Sequence, residues 1–147
     1  MGAYLEDLGL TGMRQWMIAQ TQEEMFHAHK MFLYLAERGE RVEMKGIEAP
    51  PTEWDSPLAV FEHALEHEKI VTGRINKMVD LAQELGDHAT RSFLGWYVDE
   101  QVEEEASVGE VASKLGLIGE SGNALFMMDR EMGARVFTMP AAGENGE

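Results

Sequence analysis

Four polar side chains occupy positions that the sequence pattern turns toward the interior of a helical bundle. Glu24 and His27 lie on one predicted helix, Glu68 on a second and Glu104 on a third, each in a series of mainly apolar residues spaced alternately by three and four. Carboxylates rarely enter such a stripe unless a partner compensates their charge. Because carboxylate and imidazole groups are the ligands that iron, manganese and zinc accept, we expect a metal site.

The Glu-x-x-His spacing places Glu24 and His27 on one face of their helix, where both can bind the same ion. On its own this spacing more often marks a solvated pair, so the prediction depends on Glu68 and Glu104 lying at the same height. Glu24 has the central position needed to bridge two ions. Gln101, one turn before Glu104, is placed to bind oxygen or a metal-bound water.

Other polar residues near these positions allow two interpretations each. Four neighbouring carboxylates surround the predicted layer, and they are Glu23, Glu100, Glu103 and Glu105. Glu100 and Glu103, spaced i, i+3, either hold a transient third ion or belong to a solvated acidic surface. His63 and His67 have the i, i+4 spacing of a zinc-binding pair. They fall beside the apolar stripe, so we predict that both are surface histidines.

The pattern predicts four helices, over residues 12–38, 57–85, 87–115 and 123–136, after the last turns of a further helix in residues 1–8. Their predicted N-terminal caps are Thr11, Asp55 or Ser56 followed by Pro57, Asp87, and Ser121 or Asn123. Residues 39–56 show no helical stripe and form a long connection. A helix break is predicted from Gly116 to Gly122.

The predicted turn at Gly86 makes the second and third helices an antiparallel hairpin. Glu68 and Glu104 lie equally far along the chain from Gly86, so the hairpin brings them level. The connection over 39–56 can reach nearly 60 Å at about 3.3 Å per residue, which is enough to run back along the bundle and leave the first two helices parallel. Glu24 then lies level with Glu68, and all four predicted ligands converge on one layer.

Composition sets the class of protein. The chain has 147 residues, 44% hydrophobic and 8% aromatic, with 11 Met and no Cys, which is typical of an all-α protein with one core. We predict one domain over residues 1–136 and a disordered tail over 137–147. The net charge of −15 argues against nucleic acid and anionic membranes as partners. Without an apolar span or a basic leader, the expected location is the cytoplasm.

Several motifs resemble the non-haem ferritins of bacteria and archaea. They are QEEMFHA over 22–28, WDSPL over 54–58, EHE over 66–68, FLGWYVDEQVEEE over 93–105 and FMMDRE over 126–131. The resemblance implies a ferritin-like helical bundle with a long crossover connection and a short C-terminal helix. It also implies iron storage: Fe²⁺ is oxidised by O₂ or peroxide at an intra-bundle di-iron ferroxidase centre, and Fe³⁺ is deposited as mineral in a homo-oligomeric shell of about 24 subunits.

By the same resemblance, Glu24, His27, Glu68 and Glu104 are ferroxidase ligands with Gln101 beside them, and Glu23, Glu100 and Glu103 are an accessory third iron site. Ser107 stands where bacterioferritins and rubrerythrins carry a second Glu-x-x-His, which favours ferritin proper over a rubrerythrin-like di-iron oxidase. Only residues 1–10 resemble the family's first helix, so the first bundle helix is expected to be truncated, without its glutamate ligand. The alternative is therefore an impaired ferritin that acts as a metal-binding or assembly subunit.

Overall fold

The structure is a computed structural model that describes residues 1–119 and 121–139. Within these residues it contains five α-helices and no strand, so the all-α prediction is confirmed. The helices are α1 (Gly2–Asp7), α2 (Thr11–Glu37), α3 (Pro57–Glu84), α4 (His88–Ile118) and α5 (Gly122–Met132). Most of the predicted disordered tail, from residue 140 onward, lies outside the described residues. None of the described helices is both long and apolar enough to cross a membrane.

The helix bounds differ from the predicted ones mainly near the C-terminus. α4 continues through Gly116 to Ile118, so the predicted break at Gly116 is wrong. One glycine costs a helix only about 1 kcal/mol, and the helix ends instead at Ile118, with Gly119 as its C-cap at a φ of 56°. α5 ends at Met132, four residues before the predicted end at residue 136.

Two of the predicted caps are confirmed and one is wrong. Ser56 Oγ accepts a hydrogen bond from the Ala59 amide at 3.1 Å, directly before Pro57. Asp87 accepts from the Thr90 amide at 3.0 Å. Thr11, in contrast, is the first helical residue of α2, and Leu10 precedes it without a side-chain cap.

The chain divides into two compact units. The first comprises Met1–Glu53 with the described part of Gly122–Glu147, and in it α1 and α5 pack on α2 around Leu5, Met13, Trp16, Met17, Met128 and Met132. The second comprises Trp54–Ser121, in which α3 packs on α4 around Val60, Phe61, Ile75, Leu94, Tyr97 and Val108. The predicted single domain over residues 1–136 stays a prediction.

Candidate metal centre

Two of the predicted ligands are buried carboxylates of the α3–α4 hairpin. Glu68 is 6% exposed and Glu104 is 3% exposed. The predicted stripe of α4 is buried throughout, at Leu94, Tyr97, Gln101, Glu104, Val108, Val111 and Leu115. The apolar members of this stripe surround the carboxylates with groups that do not hydrate them, so a cation near Glu68 or Glu104 interacts with them strongly.

Gln101 ties the two helices together at this level. Its side-chain amide donates to the backbone oxygen of Glu68 at 3.2 Å, to Glu68 Oε2 at 3.4 Å and to Thr72 Oγ1 at 3.2 Å. Thr72 in turn donates to Glu105 Oε1 at 2.6 Å. These bonds join α3 to α4 and hold the Glu68 carboxylate in one orientation, as expected of a group that positions a ligand.

A cavity of about 330 Å³ lies beside this hydrogen-bonded network, in the same unit. It is lined by Thr72, Gln101 and Glu105 together with the apolar side chains of Ile75, Val98 and Val102 and by Asn76. The sequence pattern placed Glu105 among the surrounding carboxylates, but it did not reveal its hydrogen bond with Thr72. Partners on two helices become visible only when the register of the hairpin is known.

In the first unit, His27 is 7% exposed and its Nδ1 lies 3.5 Å from Glu24 Oε2. Gln20 donates from Nε2 to the other oxygen of Glu24 at 3.3 Å. The side chain of Glu24 is 45% exposed, so its predicted burial is wrong. Glu24 is exposed because the C-terminal part of α2 is mostly exposed. After Gln20, His27 is the one buried residue of this helix, and even large apolar side chains such as Met25 (68% exposed) face solvent.

Glu23 forms an ion pair that the sequence did not predict. Its Oε2 lies 2.6 Å from Nη2 of Arg135, and the two side chains are 23% and 22% exposed. The same guanidinium donates from Nη1 to Gln20 Oε1 at 2.8 Å and lies over the Trp16 ring, 4.1 Å from its centroid. Because Arg135 lies more than a hundred residues from Glu23, no local spacing signals this pair.

The remaining predicted residues lie on α4 and α3. Glu100 is half-buried, and one of its oxygens lies within 4.8 Å of a Glu104 oxygen, whereas Glu103 is exposed. His67 is exposed, as predicted for a surface histidine. The same prediction is wrong for His63, which is half-buried and accepts a hydrogen bond from Trp54 Nε1 at its Nδ1 over 3.0 Å.

Comparisons with known proteins identify the family of the chain. Residues 1–118 match the Ferritin-like domain family. The chain is 41% identical over 137 residues to the bacterial non-heme ferritin of Staphylococcus haemolyticus, covering 93% of this chain and 82% of that protein. It is 41% identical over 135 residues to that of Bacteroides fragilis, covering 92% and 84%.

Solved structures give the same result for the fold. A ferritin from Archaeoglobus fulgidus engineered into a closed form is 52% identical, with a TM-score of 0.93, over 94% of this chain and 84% of that one. An open pore ferritin from the same archaeon is 52% identical, with a TM-score of 0.91, over 92% and 83%. On sequence and on structure, this chain belongs to the ferritin family.

Proposed function

We propose that the protein stores iron by oxidising Fe²⁺, its substrate, and depositing Fe³⁺ as a mineral. The observation that carries the proposal is the burial of Glu68 and Glu104, which are 6% and 3% exposed on two neighbouring helices. Removing two carboxylates from water costs several kcal/mol, and a bound divalent cation compensates both charges at once. Membership of the ferritin family supports iron as that cation.

The proposed di-iron centre comprises four ligands that the family resemblance implies. Glu24 and His27 supply a carboxylate and an imidazole from α2, and Glu68 and Glu104 supply two carboxylates from the hairpin. Gln101 orients Glu68 through its hydrogen bonds. Oxygen and imidazole ligands without a thiolate suit Fe²⁺ and also stabilise Fe³⁺, which prefers anionic oxygen ligands. The proposed accessory iron site comprises Glu23, Glu100 and Glu103.

Oxidation balances with two irons. Each Fe²⁺ loses one electron, and O₂ takes up both electrons and two protons to become hydrogen peroxide. When peroxide is the oxidant, it takes up two electrons and two protons and its O–O bond breaks to give two waters. Two ions in one site deliver both electrons together, and the three carboxylates stabilise the charge that each iron gains.

The proposed assembly is a homo-oligomeric shell in the cytoplasm. Large apolar side chains remain exposed on the single chain, among them Phe32 at 43%, Leu33 at 45% and Ile47 at 96%, and apolar surface of this kind supports contact with further copies. Twenty-four chains of 16.5 kDa give a native mass of about 400 kDa, which native mass measurement tests directly. A net charge of −15 supports iron cations rather than nucleic acid as the partner.

The catalytic part of the proposal is tested by iron oxidation. Anaerobic protein given two Fe²⁺ per chain and then air develops a ferric–oxo absorbance. We expect Glu24→Ala and Glu104→Ala each to slow its rise by about 10- to 100-fold, because each removes one ligand. Glu110→Ala, which removes an exposed carboxylate from the same helix as Glu104, is the matched control and leaves the rate unchanged. Wild-type rates in both ligand variants would remove the catalytic assignment.

The half-exposed Glu24 favours a second candidate function, that of a metal-binding or assembly subunit without fast oxidation. A solvated carboxylate binds a cation less strongly than a buried one, because water competes for its charge. Size chromatography combined with iron loading separates the two candidates. A large shell that takes up many irons per chain supports storage, whereas an oligomer that binds only a few irons supports the second candidate.

A further inference from the structure

Arg135 is a cation that the protein itself supplies to Glu23. It follows α5, and its guanidinium contacts three side chains of α2: Glu23 at 2.6 Å, Gln20 at 2.8 Å and the Trp16 ring at 4.1 Å from the centroid. Gln15 Nε2 adds a contact of 3.5 Å to the Arg135 backbone oxygen. Arg135 is therefore one contact that attaches the segment after α5 to the helix that carries Glu23, and the Phe137 ring, whose centroid lies 6.2 Å from that of Phe26, is another.

The Glu23 carboxylate cannot serve this arginine and a metal ion equally well. A guanidinium whose Nη2 lies 2.6 Å from Oε2 engages that oxygen in a charge-assisted hydrogen bond and already offsets part of the charge that would attract a cation. A metal ion placed at the same carboxylate would also repel the guanidinium. Because both side chains are more than three-quarters buried, solvent screens this competition only in part.

We propose that Arg135 is an internal competitor that a metal ion must displace from Glu23. Cation binding at Glu23 and attachment of the segment over residues 133–139 then oppose each other, and by linkage each weakens the other by the same factor. The proposal rests on the proposed function only in naming iron as the natural cation. The competition itself is a property of any cation that takes carboxylate ligands.

The other contacts of Arg135 make the displacement reversible, although the segment is held less tightly while the cation is bound. The amides of Gly133, Ala134 and Arg135 donate to backbone oxygens of α5 at 3.1, 3.1 and 3.2 Å, so the arginine backbone remains close to the helix end. Stacking on Trp16 does not involve Glu23. The guanidinium therefore stays within reach and returns to Glu23 when the cation leaves.

Binding of Tb³⁺ to the iron-free assembled protein tests the competition without any oxidation. Tb³⁺ takes oxygen ligands, and its emission is sensitised by nearby tryptophan, here Trp16. Arg135→Met keeps an apolar side chain over Trp16 and removes the charge, and we expect it to bind Tb³⁺ about three- to tenfold more tightly than the wild type. Arg130→Met, which removes an exposed arginine from α5, is the matched control with wild-type affinity.

Glu23→Gln makes the test specific to this carboxylate. In the Glu23→Gln background, Arg135→Met should change Tb³⁺ affinity no further, because the carboxylate for which Arg135 and the cation compete is absent. If Arg135→Met binds Tb³⁺ no more tightly than the wild type, or gains the same factor in the Glu23→Gln background, the proposal is overturned. Failure of iron oxidation alone would affect only the proposed function, since Tb³⁺ binding does not depend on it.

Amide hydrogen exchange tests the reciprocal effect. Tb³⁺ should speed exchange in a peptide covering residues 133–139 of the wild type by about the same three- to tenfold factor, and it should not do so in Glu23→Gln. Thermal unfolding and native mass of each variant verify that it is folded and assembled. Unchanged exchange in the wild type at saturating Tb³⁺ would overturn the coupling between cation binding and the segment.

Discussion

Asp129 of α5 caps α2, although the two lie far apart in the sequence. Replacing Asp129 tests how much this contact between α5 and α2 contributes to stability. The Met13 amide, in the first turn of α2, donates to Asp129 Oδ1 at 2.8 Å in a buried hydrogen bond. Asp129 is 8% exposed, and α2 has no side-chain cap of its own at Leu10. Asp129→Ala therefore removes both the acceptor for a buried donor and the negative charge at a helix N-terminus.

The expected cost follows from these two effects. A buried amide left without its acceptor costs about 1–3 kcal/mol. Loss of the carboxylate from the helix N-terminus costs about 0.3–1 kcal/mol more. We therefore expect Asp129→Ala to lower the free energy of unfolding by about 1.3–4 kcal/mol. Asp129→Asn keeps an oxygen that accepts from Met13, so it should lose only about 1 kcal/mol.

Two measurements check this expectation on the assembled protein. The unfolding temperature should be highest for the wild type, lower for Asp129→Asn and lowest for Asp129→Ala. The protection of the Met13 amide against hydrogen exchange should fall in the same order. Asp87→Ala is the control, because Asp87 caps α4 locally and its loss should cost about 1 kcal/mol. The reasoning is refuted if Asp129→Ala costs no more than Asp87→Ala, or if Met13 keeps its protection.

The other predictions concern a close helix contact and a surface ion pair. At Gly12 a Cβ would lie 1.7 Å from the Asp129 backbone oxygen, so Gly12→Ala should lower the free energy of unfolding by about 3 kcal/mol or more. Gly73 has open space around it, so Gly73→Ala should raise the free energy of unfolding by about 0.5–1 kcal/mol. Equal shifts of the unfolding temperature in the two variants would contradict this. The hydrogen bond and then the charge of Lys114 lower the pKa of Glu110, so the pair stabilises the fold above the ordinary carboxyl pKa and stops doing so as pH falls through the lowered pKa. Lys114→Met should return the Glu110 pKa toward its ordinary value in an NMR titration, and an unchanged value would disprove the assigned cause.

The hairpin was predictable because two independent sequence signals determine it. The apolar period identified the buried face of α4 from Leu94 to Leu115, and Gly86, with a φ of 68°, marked the turn. Once face and turn are known, the level of each side chain follows from the rise of the helix. The Gln101–Glu68 hydrogen bonds join the two helices one turn from Glu104, close to the predicted level.

The contacts made by α5 were not predictable in this way. Asp129 reaches Met13, and Arg135 reaches Glu23, across more than a hundred residues of chain. Neither residue belongs to a periodic stripe. The sequence contains many other acidic and basic residues, and nothing in the sequence distinguishes Asp129 and Arg135 from them as partners for Met13 and Glu23. Such pairs depend on where the short helix α5 packs on α2. That packing depends on local steric fit, for example on the absence of a Cβ at Gly12, which allows the Asp129 backbone to approach closely.

Periodicity also reports which way a side chain faces, but not how much water remains around it. Glu24 and Glu68 occupy equivalent places in their stripes, yet Glu24 is 45% exposed at its side chain and Glu68 is 6% exposed. Water stabilises the Glu24 charge before any cation arrives, whereas the burial of Glu68 costs free energy that a bound cation returns. The proposed ligands therefore differ in what a bound cation would change: at Glu68 it would compensate a buried charge, at Glu24 it would replace water, and at Glu23, in the proposed accessory site, it would replace Arg135.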